Sequence, residues 1–381
     1  MHKFNYNWTL ADAKFTKDKG KVFSCFACGG GSTMGYKLAG FDVLGCNEID
    51  PKMIEAYKAN HNPKYAYLEP IQTFKLRTTK EKAIQKFGSI ENYELSGGDA
   101  KWLMPDELYN LDILDGSPPC SSFSMAGSRE DGWGKEKKFR EGQAKQVLDN
   151  LFFDFIDLAK ELRPKVVVAE NVSGLMMGNA KEYVKKIYIA FQEAGYELRI
   201  EPYLLDASKM GVPQRRKRVF FCAIRSDLSE QFIEQVDMFQ VAPKLDLEFN
   251  EKEIFWDEFE TDDKTPTLTS KRALQLWSEI KPGQTFADHP DSNSGFGAYK
   301  LERLRALPTI TSVFRPNSGT GLLHPEIPRI LNKIEYCCGG SYPQDYNFLN
   351  NQYGYLIGMS VPPVMTAQIA TNIYEQWLSK M

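Results

Sequence analysis

The chain has 381 residues, enough for one large core and a second, smaller one at about 100 to 200 residues per domain. With 42% hydrophobic and 25% charged residues and a mean hydropathy of -0.42, its composition argues against both a disordered chain and an integral membrane protein. A net charge of -3 and a pI near 6.0 exclude a globally basic surface, so any contact with a polyanion has to be local, at Lys135 to Arg140 or at Gln214 to Arg218.

No stretch of about 18 uninterrupted apolar residues occurs, and the first residues mix charge, Asn and aromatics, so the chain reads as untargeted and cytoplasmic. Seven scattered cysteines without a signal peptide read as reduced thiols.

From Lys21 to about Ile224, short apolar runs alternate with longer amphipathic ones, the pattern of a parallel sheet with crossover helices. The first predicted strand, Lys21 to Phe26, runs into Gly29-Gly30-Gly31 and then Ser32-Thr33 at a helix start. Glycines there let a ligand approach the backbone, and the helix start offers unpaired N–H groups. The spacing is not that of a GxGxxG dinucleotide fingerprint, which disfavours a nicotinamide oxidoreductase. Cys25-Phe-Ala-Cys28 has CxxC spacing, but no second pair completes a zinc site and the histidines are only His2, His61, His289 and His324, so no metal is expected. A second strand, Val43 to Glu48, ends with Glu48 placed to take two ribose hydroxyls; a nucleoside cofactor follows, though not which one.

The third strand, Leu111 to Asp115, leads into Gly-Ser-Pro-Pro-Cys120. Cys120 then sits in a polar turn just past the carboxyl edge of the sheet, a setting for a nucleophile more than for an inert core thiol. Met125 to Gly142, rich in Gly and charge, reads as a lid. A helix is predicted over Gln143 to Leu162, with apolar residues at Val147, Leu148, Leu151, Phe155, Leu158 and Leu162, and Arg163-Pro164 ends it. The strand Val166 to Glu170 brings Glu170 to the same edge as Cys120, where a desolvated carboxyl can hold a proton and donate it to a ring nitrogen, or simply cap the strand. After a strand over Tyr196 to Leu205, Arg216 and Arg218 open the last one, Arg218 to Ile224, on one face, suited to phosphate or to bracing a carboxylate. The chain is then irregular to about Lys300, and a helix near its end, from Val364 to Leu378, is expected to pack back on the first domain.

Taken in this order, these segments resemble the cytosine-5 DNA methyltransferase family over nearly the whole chain. The matching segments are Phe26 to Gly31 (cofactor loop), Pro118-Pro119-Cys120 (nucleophile), Glu170-Asn171-Val172 (acid), Gln214 to Arg218 (arginines), Pro308 to Thr311, and Gly358 to Pro363. The resemblance implies a Rossmann-like α/β sheet with helices on both faces and a smaller irregular target-recognition domain. The divisions drawn are 1–224 for catalysis and cofactor, 225–305 for recognition, and 306–381 for the end of the recognition domain and the C-terminal helix returning to the catalytic domain.

It also implies S-adenosylmethionine as cofactor, held by Phe26, Ala27, Gly29, Gly30, Gly31, Glu48, Ile49, Pro119, Leu151 and Ser360, with Asp99 or Glu69 on the adenine. Cys120, Glu170, Arg216 and Arg218 are the implied catalytic residues. Duplex DNA is the implied partner of a monomer, with or without a separately acting restriction endonuclease. The chain departs from the family in carrying Ser24 where an Asp is usual, Cys28 for Gly, Met359 for Asn, and Ile49 for an aromatic. The alternatives are a tRNA cytosine-5 methyltransferase and a catalytically silent DNA-binding paralogue.

Overall fold

The runs KVFSC, DVLGCNE and YAYL form β1 (Lys21–Cys25), β2 (Asp42–Glu48) and β3 (Tyr65–Leu68) in the computed structural model. The structure describes residues 2–99, 103–119, 150–177, 180–235, 241–290, 297–314 and 320–381. Next come β4 (Ile113–Gly116), β5 (Val166–Val172), β6 (Tyr196–Glu197), β7 (Tyr203–Asp206) and β8 (Lys217–Arg225). They build one eight-stranded sheet in the order β3-β2-β1-β4-β5-β8, with β6 and β7 both pairing along the outer side of β8.

The first five strands are parallel, so their carboxyl ends lie along one edge. β8 runs antiparallel to β5, which brings its beginning, Lys217 and Arg218, to that same edge. The parallel pattern read from the sequence therefore ends at β5. The strand expected over Tyr196 to Leu205 is two short pieces, and Pro202, which has no N–H for a ladder, stands immediately before the second. β3 is absent from the strands read from the sequence: its aromatics alternate, but it is only four residues long.

Both faces of the sheet are covered. On one, Phe23, Leu44, Leu114 and Val167 pack against helix α3 (Leu151–Leu162). The apolar stripe of α3, Leu151, Phe155, Leu158 and Leu162, recurs at three and four, and burying one such side chain stabilises by about 1.5–3 kcal/mol. The helix stops at Arg163, which adopts φ 52° before Pro164. Of the helix expected from Gln143, positions 143–149 lie outside the described residues.

On the other face, Val22, Ile113, Val166 and Phe220 meet Tyr36 of α1 together with Val364, Met365 and Ile369 of the last helix, Pro363–Gln376. Helix α1 spans Gly31–Leu38. The last helix packs against α1, close enough that a Cβ on Gly35 would lie 2.4 Å from the carbonyl oxygen of Pro363.

A separate core gathers Ile254, Trp256, Phe259, Leu268, Ile330, Tyr336 and Ile357. At its centre Arg329 and Glu335, both 0% exposed, form a two-pronged ion pair at 2.7 and 2.8 Å. Among its described residues, the stretch read as irregular contains the helix Lys271–Glu279, capped by Ser270, and a two-stranded ribbon of Ile233–Gln235 with Val241–Pro243. Among the described residues no helix is long and apolar enough to cross a membrane.

Candidate active site

The glycine-rich loop leaves β1 through Phe26 and Cys28, both at positive φ (54° and 51°), and reaches Gly30 at φ 85°. A Cβ on Gly30 would sit 2.2 Å from His61 Nε2, and one on Gly31 would sit 2.4 Å from the Val361 carbonyl oxygen. The glycines were expected to make room for a ligand. At these two positions the space a side chain would take is filled by the protein's own His61 and Val361. The loop is thus clamped between helix α2 (Pro51–His61) and the C-terminal segment. His61 and Tyr346 both reach the Gly29 carbonyl oxygen, the tyrosine hydroxyl donating at 2.6 Å. Burial, with Lys37 beside it, holds the His61 imidazole down to about 3, so it is neutral. Gly30, the N-cap of α1, contributes no side-chain cap, so the first-turn N–H groups of that helix are not taken by one.

Glu48 ends β2 and ties the loop to it. Its Oε2 accepts from the Cys28 N–H at 2.7 Å, and its Oε1 accepts from Ile49 and Asp50 at 2.9 and 2.8 Å. Asp50 in turn caps α2 by accepting from the Lys52 N–H at 2.8 Å. Of the two acids proposed for the adenine, Glu69 follows directly on β3 and its N–H donates to the Glu48 carbonyl. Arg77 holds Glu69 Oε1 at 2.7 Å, while the buried Oε2 finds no donor among the described residues. Asp99 is exposed and lies outside the sheet, in the turn after the short helix Ile90–Leu95.

Phe26 packs on Phe155 of α3 at 6.4 Å. Leu151, expected against the adenine, is 1% exposed within the core of that face and presents no surface to a ligand. Ala27 is buried beside Cys46 and Tyr57. Ser360 is buried, accepts from Tyr342 at 2.6 Å and donates to the Leu356 carbonyl at 2.9 Å, and its Cβ faces Gly31.

At the middle of the edge, β4 ends at Gly116 and the chain continues through Ser117, Pro118 and Pro119. Asn171, next to Glu170 on β5, donates Nδ2–H to the Pro118 carbonyl at 3.1 Å and accepts from the Val172 N–H at 2.9 Å. The acid's strand therefore holds the turn two residues before Cys120. Cys120 itself, the stretch Met125 to Gly142 and the basic patch Lys135 to Arg140 lie outside the described residues.

Glu170 is within β5 rather than at its end, because the strand continues to Val172. Arg218 Nε lies 3.0 Å from Glu170 Oε1, so a cation faces the carboxyl, the second of the two uses the sequence left open for the arginines. Arg216 does not join them. It is 3% exposed, and its Nη1 and Nη2 donate to the carbonyls of Ile310 and Gly358 at 2.9 and 3.1 Å, joining the residue just before β8 to both late segments.

The reading from sequence assigned no role to His61, Tyr342, Tyr346, Asn171 or Asp115. A signal for the last was available: Ser24 and Asp115 are polar interruptions in otherwise apolar strands. An open cavity of about 530 Å³ lies at the opposite edge of the sheet, lined by Lys17, Asp42, Asp112, Lys165 and Arg225. Lys17 there pairs with Asp42 and Lys165 with Asp112, and the cavity lies away from the strand ends described above.

A parallel sheet that gathers a glycine loop, two strand-end carboxylates and a Pro-Pro turn at its carboxyl edge defines a Rossmann-like methyltransferase domain. Residues 20–375 match the model of the C-5 cytosine-specific DNA methylase family, and the chain belongs to that family. It is 33% identical over 212 residues to the type II methyltransferase M.FnuDI of Fusobacterium nucleatum, covering 55% of this chain and 48% of that protein. The chain thus spans about half the length of that relative. It is 25% identical to M.Eco47II of Escherichia coli over 379 residues, 95% of this chain and 80% of that one. A solved protein described as a DNA modification methyltransferase of an Escherichia coli prophage shares the fold at a TM-score of 0.60 and 20% identity, over 93% of this chain and 99% of that one.

Proposed function

We propose that the protein is a DNA cytosine-5 methyltransferase acting on a specific duplex sequence with Cys120 as nucleophile. One observation carries the reading beyond family membership: Asn171 binds the Pro118 carbonyl while its neighbour Glu170 is held by Arg218. The acid and the turn that leads to the nucleophile are thereby fixed to each other at one sheet edge.

The residues at the edge fit S-adenosylmethionine. The unsatisfied Glu69 Oε2 suits an amino donor such as that of adenine, and Glu48 is a carboxylate at the strand end where ribose hydroxyls bind. Phe26, Ala27, Gly29, Gly30, Gly31, Ile49, Pro119 and Ser360 would complete the site for the donor. When bound, S-adenosylmethionine supplies the methyl group as an electrophilic carbon on sulfur.

Cytosine C5 is a weak nucleophile in an aromatic ring. Addition of the Cys120 thiolate to C6, with Glu170 hydrogen-bonded at N3, converts C5 into an enamine carbon. C5 would take the methyl group as the donor's sulfur–methyl bond breaks, and loss of the C5 proton and of the Cys120 thiolate then restores the aromatic ring. C6 is inaccessible in a stacked duplex, so the base has to be flipped into the site. Arg218 keeps Glu170 oriented through this sequence, and Arg216 braces the two late segments behind it.

The second core, together with the stretch drawn at 225–305, forms the module that reads the DNA, with 306–381 returning to the catalytic domain at 1–224. The enzyme works as a monomer in the bacterial cytosol or nucleoid, with or without a partner endonuclease. C120S tests the chemistry: methyl transfer to DNA should vanish while binding of S-adenosylmethionine persists, and a fully active C120S would sink the proposal.

A further inference from the structure

Asp115 is a buried carboxylate, 4% exposed, on the strand that leads to the nucleophile turn, and the mechanism above leaves it without a task. It is the register partner of Ser24 across the parallel pair β1–β4. Its Oδ2 accepts from the hydroxyls of Ser24 and Ser32, both at 2.7 Å, and its Oδ1 accepts from the Tyr36 hydroxyl at 3.2 Å. Ser24 stands on β1 just before the cofactor loop, and Ser32 and Tyr36 stand on α1 just after it. Asp115 therefore grips both ends of the loop. All three donors are neutral hydroxyls, and no cation within ion-pair distance of Asp115 is found among the described residues. Burial pushes its carboxyl up to about 6, against the pull of the three hydroxyls.

A carboxylate buried on such terms costs stability and asks for a reason. The geometry supplies one, since Asp115 bonds both ends of the cofactor loop from the strand that leads into the nucleophile turn. We infer that Asp115 acts as a positioning residue holding the donor loop in register with the Pro118-Pro119 turn. Because Ser24 and Asp115 are register partners, exchanging the two side chains puts a carboxylate and a hydroxyl into the same space.

The inference rests on the proposed methyltransferase reading. Calorimetric titration with S-adenosylmethionine is combined with hydrogen exchange of the backbone amides of residues 26–32 in the absence of donor, on the wild type, D115S, D115N and the swap S24D/D115S. Losing charge-assisted hydrogen bonds predicts donor binding weaker by about 10-fold or more in D115S, with faster amide exchange in the loop. D115N, which keeps the shape without the charge, is expected to fall between D115S and the wild type, and the swap is expected to regain most of both losses. Wild-type values in D115S, or a swap as impaired as D115S, would overturn the inference. Should the wild type bind no S-adenosylmethionine, the proposed function fails instead, and the exchange data alone decide: protection lost in D115S and regained in the swap supports the anchor, and equal exchange in all four proteins refutes it.

Discussion

Arg218 reaches diagonally across the antiparallel pair of β8 and β5 and brings its Nε to 3.0 Å from Glu170 Oε1. In that register Glu170 stands opposite Phe220 and Arg218 opposite Val172, so both side chains share one face of the sheet. With side-chain exposures of 15% and 12%, the pair is well shielded from water. Replacing Arg218 by Ala removes the group that orients the acid, and kcat/KM for methyl transfer should fall about 10²- to 10³-fold. R218K keeps the charge but not the planar fork and should recover only part of the loss. Steady-state kinetics on duplex DNA check this, and an R218A enzyme within twofold of the wild type would remove Arg218 from the mechanism.

Glu69 and Asp99 make opposite predictions. E69Q places an amide donor where an amino group needs an acceptor, so the KM for S-adenosylmethionine should rise about 10-fold with the KM for DNA unchanged. D99A should alter neither, since Asp99 is exposed and belongs to no strand. The reverse pattern would reassign the adenine contact to Asp99.

His61 gives the fold an acid sensitivity whose sign is fixed by its environment. Its imidazole is held down to about 3, against 6.5 for the exposed group, by burial and by Lys37, with its Nε2 on the Gly29 carbonyl opposing. A depressed pKa of this kind contributes stability that is fully present above pH 6.5 and is lost as pH falls through that value toward 3, by up to about 1.4 kcal/mol per unit. The stability difference between wild type and H61Q, measured by urea unfolding from pH 8 to pH 4, should therefore shrink below pH 6.5. A difference that is constant with pH would mean that His61 accepts a proton in the folded protein.

In the second core, R329M leaves Glu335 buried without its cation. Breaking a fully buried pair on one side costs about 3–5 kcal/mol, so R329M should unfold at markedly lower denaturant concentration. A change under about 1 kcal/mol would show that the N–H groups of Asn332 and Thr261, which also donate to Glu335, are enough to hold it.

Much of this architecture was legible in the sequence because it is local. Apolar runs gave β1, β2, β4, β5 and β8 to within a residue or two at most ends, and the three-and-four spacing of Leu151, Phe155, Leu158 and Leu162 gave α3. What the sequence concealed depends on contacts between distant segments. Arg216 and Arg218 alternate on one strand and looked equivalent. Only the packing of Ile310 and Gly358 against that strand turns Arg216 toward carbonyls and leaves Arg218 for Glu170. Gly30 and Gly31 signalled a close approach but not by what, since His61 and Val361 arrive from elsewhere in the chain. Leu151 could be assigned to a ligand only while its burial was unknown.

The central claim is methyl transfer to C5 of cytosine, and it is tested most directly by incubating the protein with unmethylated duplex DNA and tritium-labelled S-adenosylmethionine, then sequencing the product by bisulfite conversion. The account predicts label on DNA and protected cytosines confined to one short sequence. No label on DNA from a protein that binds the donor, or label on tRNA instead, would contradict it.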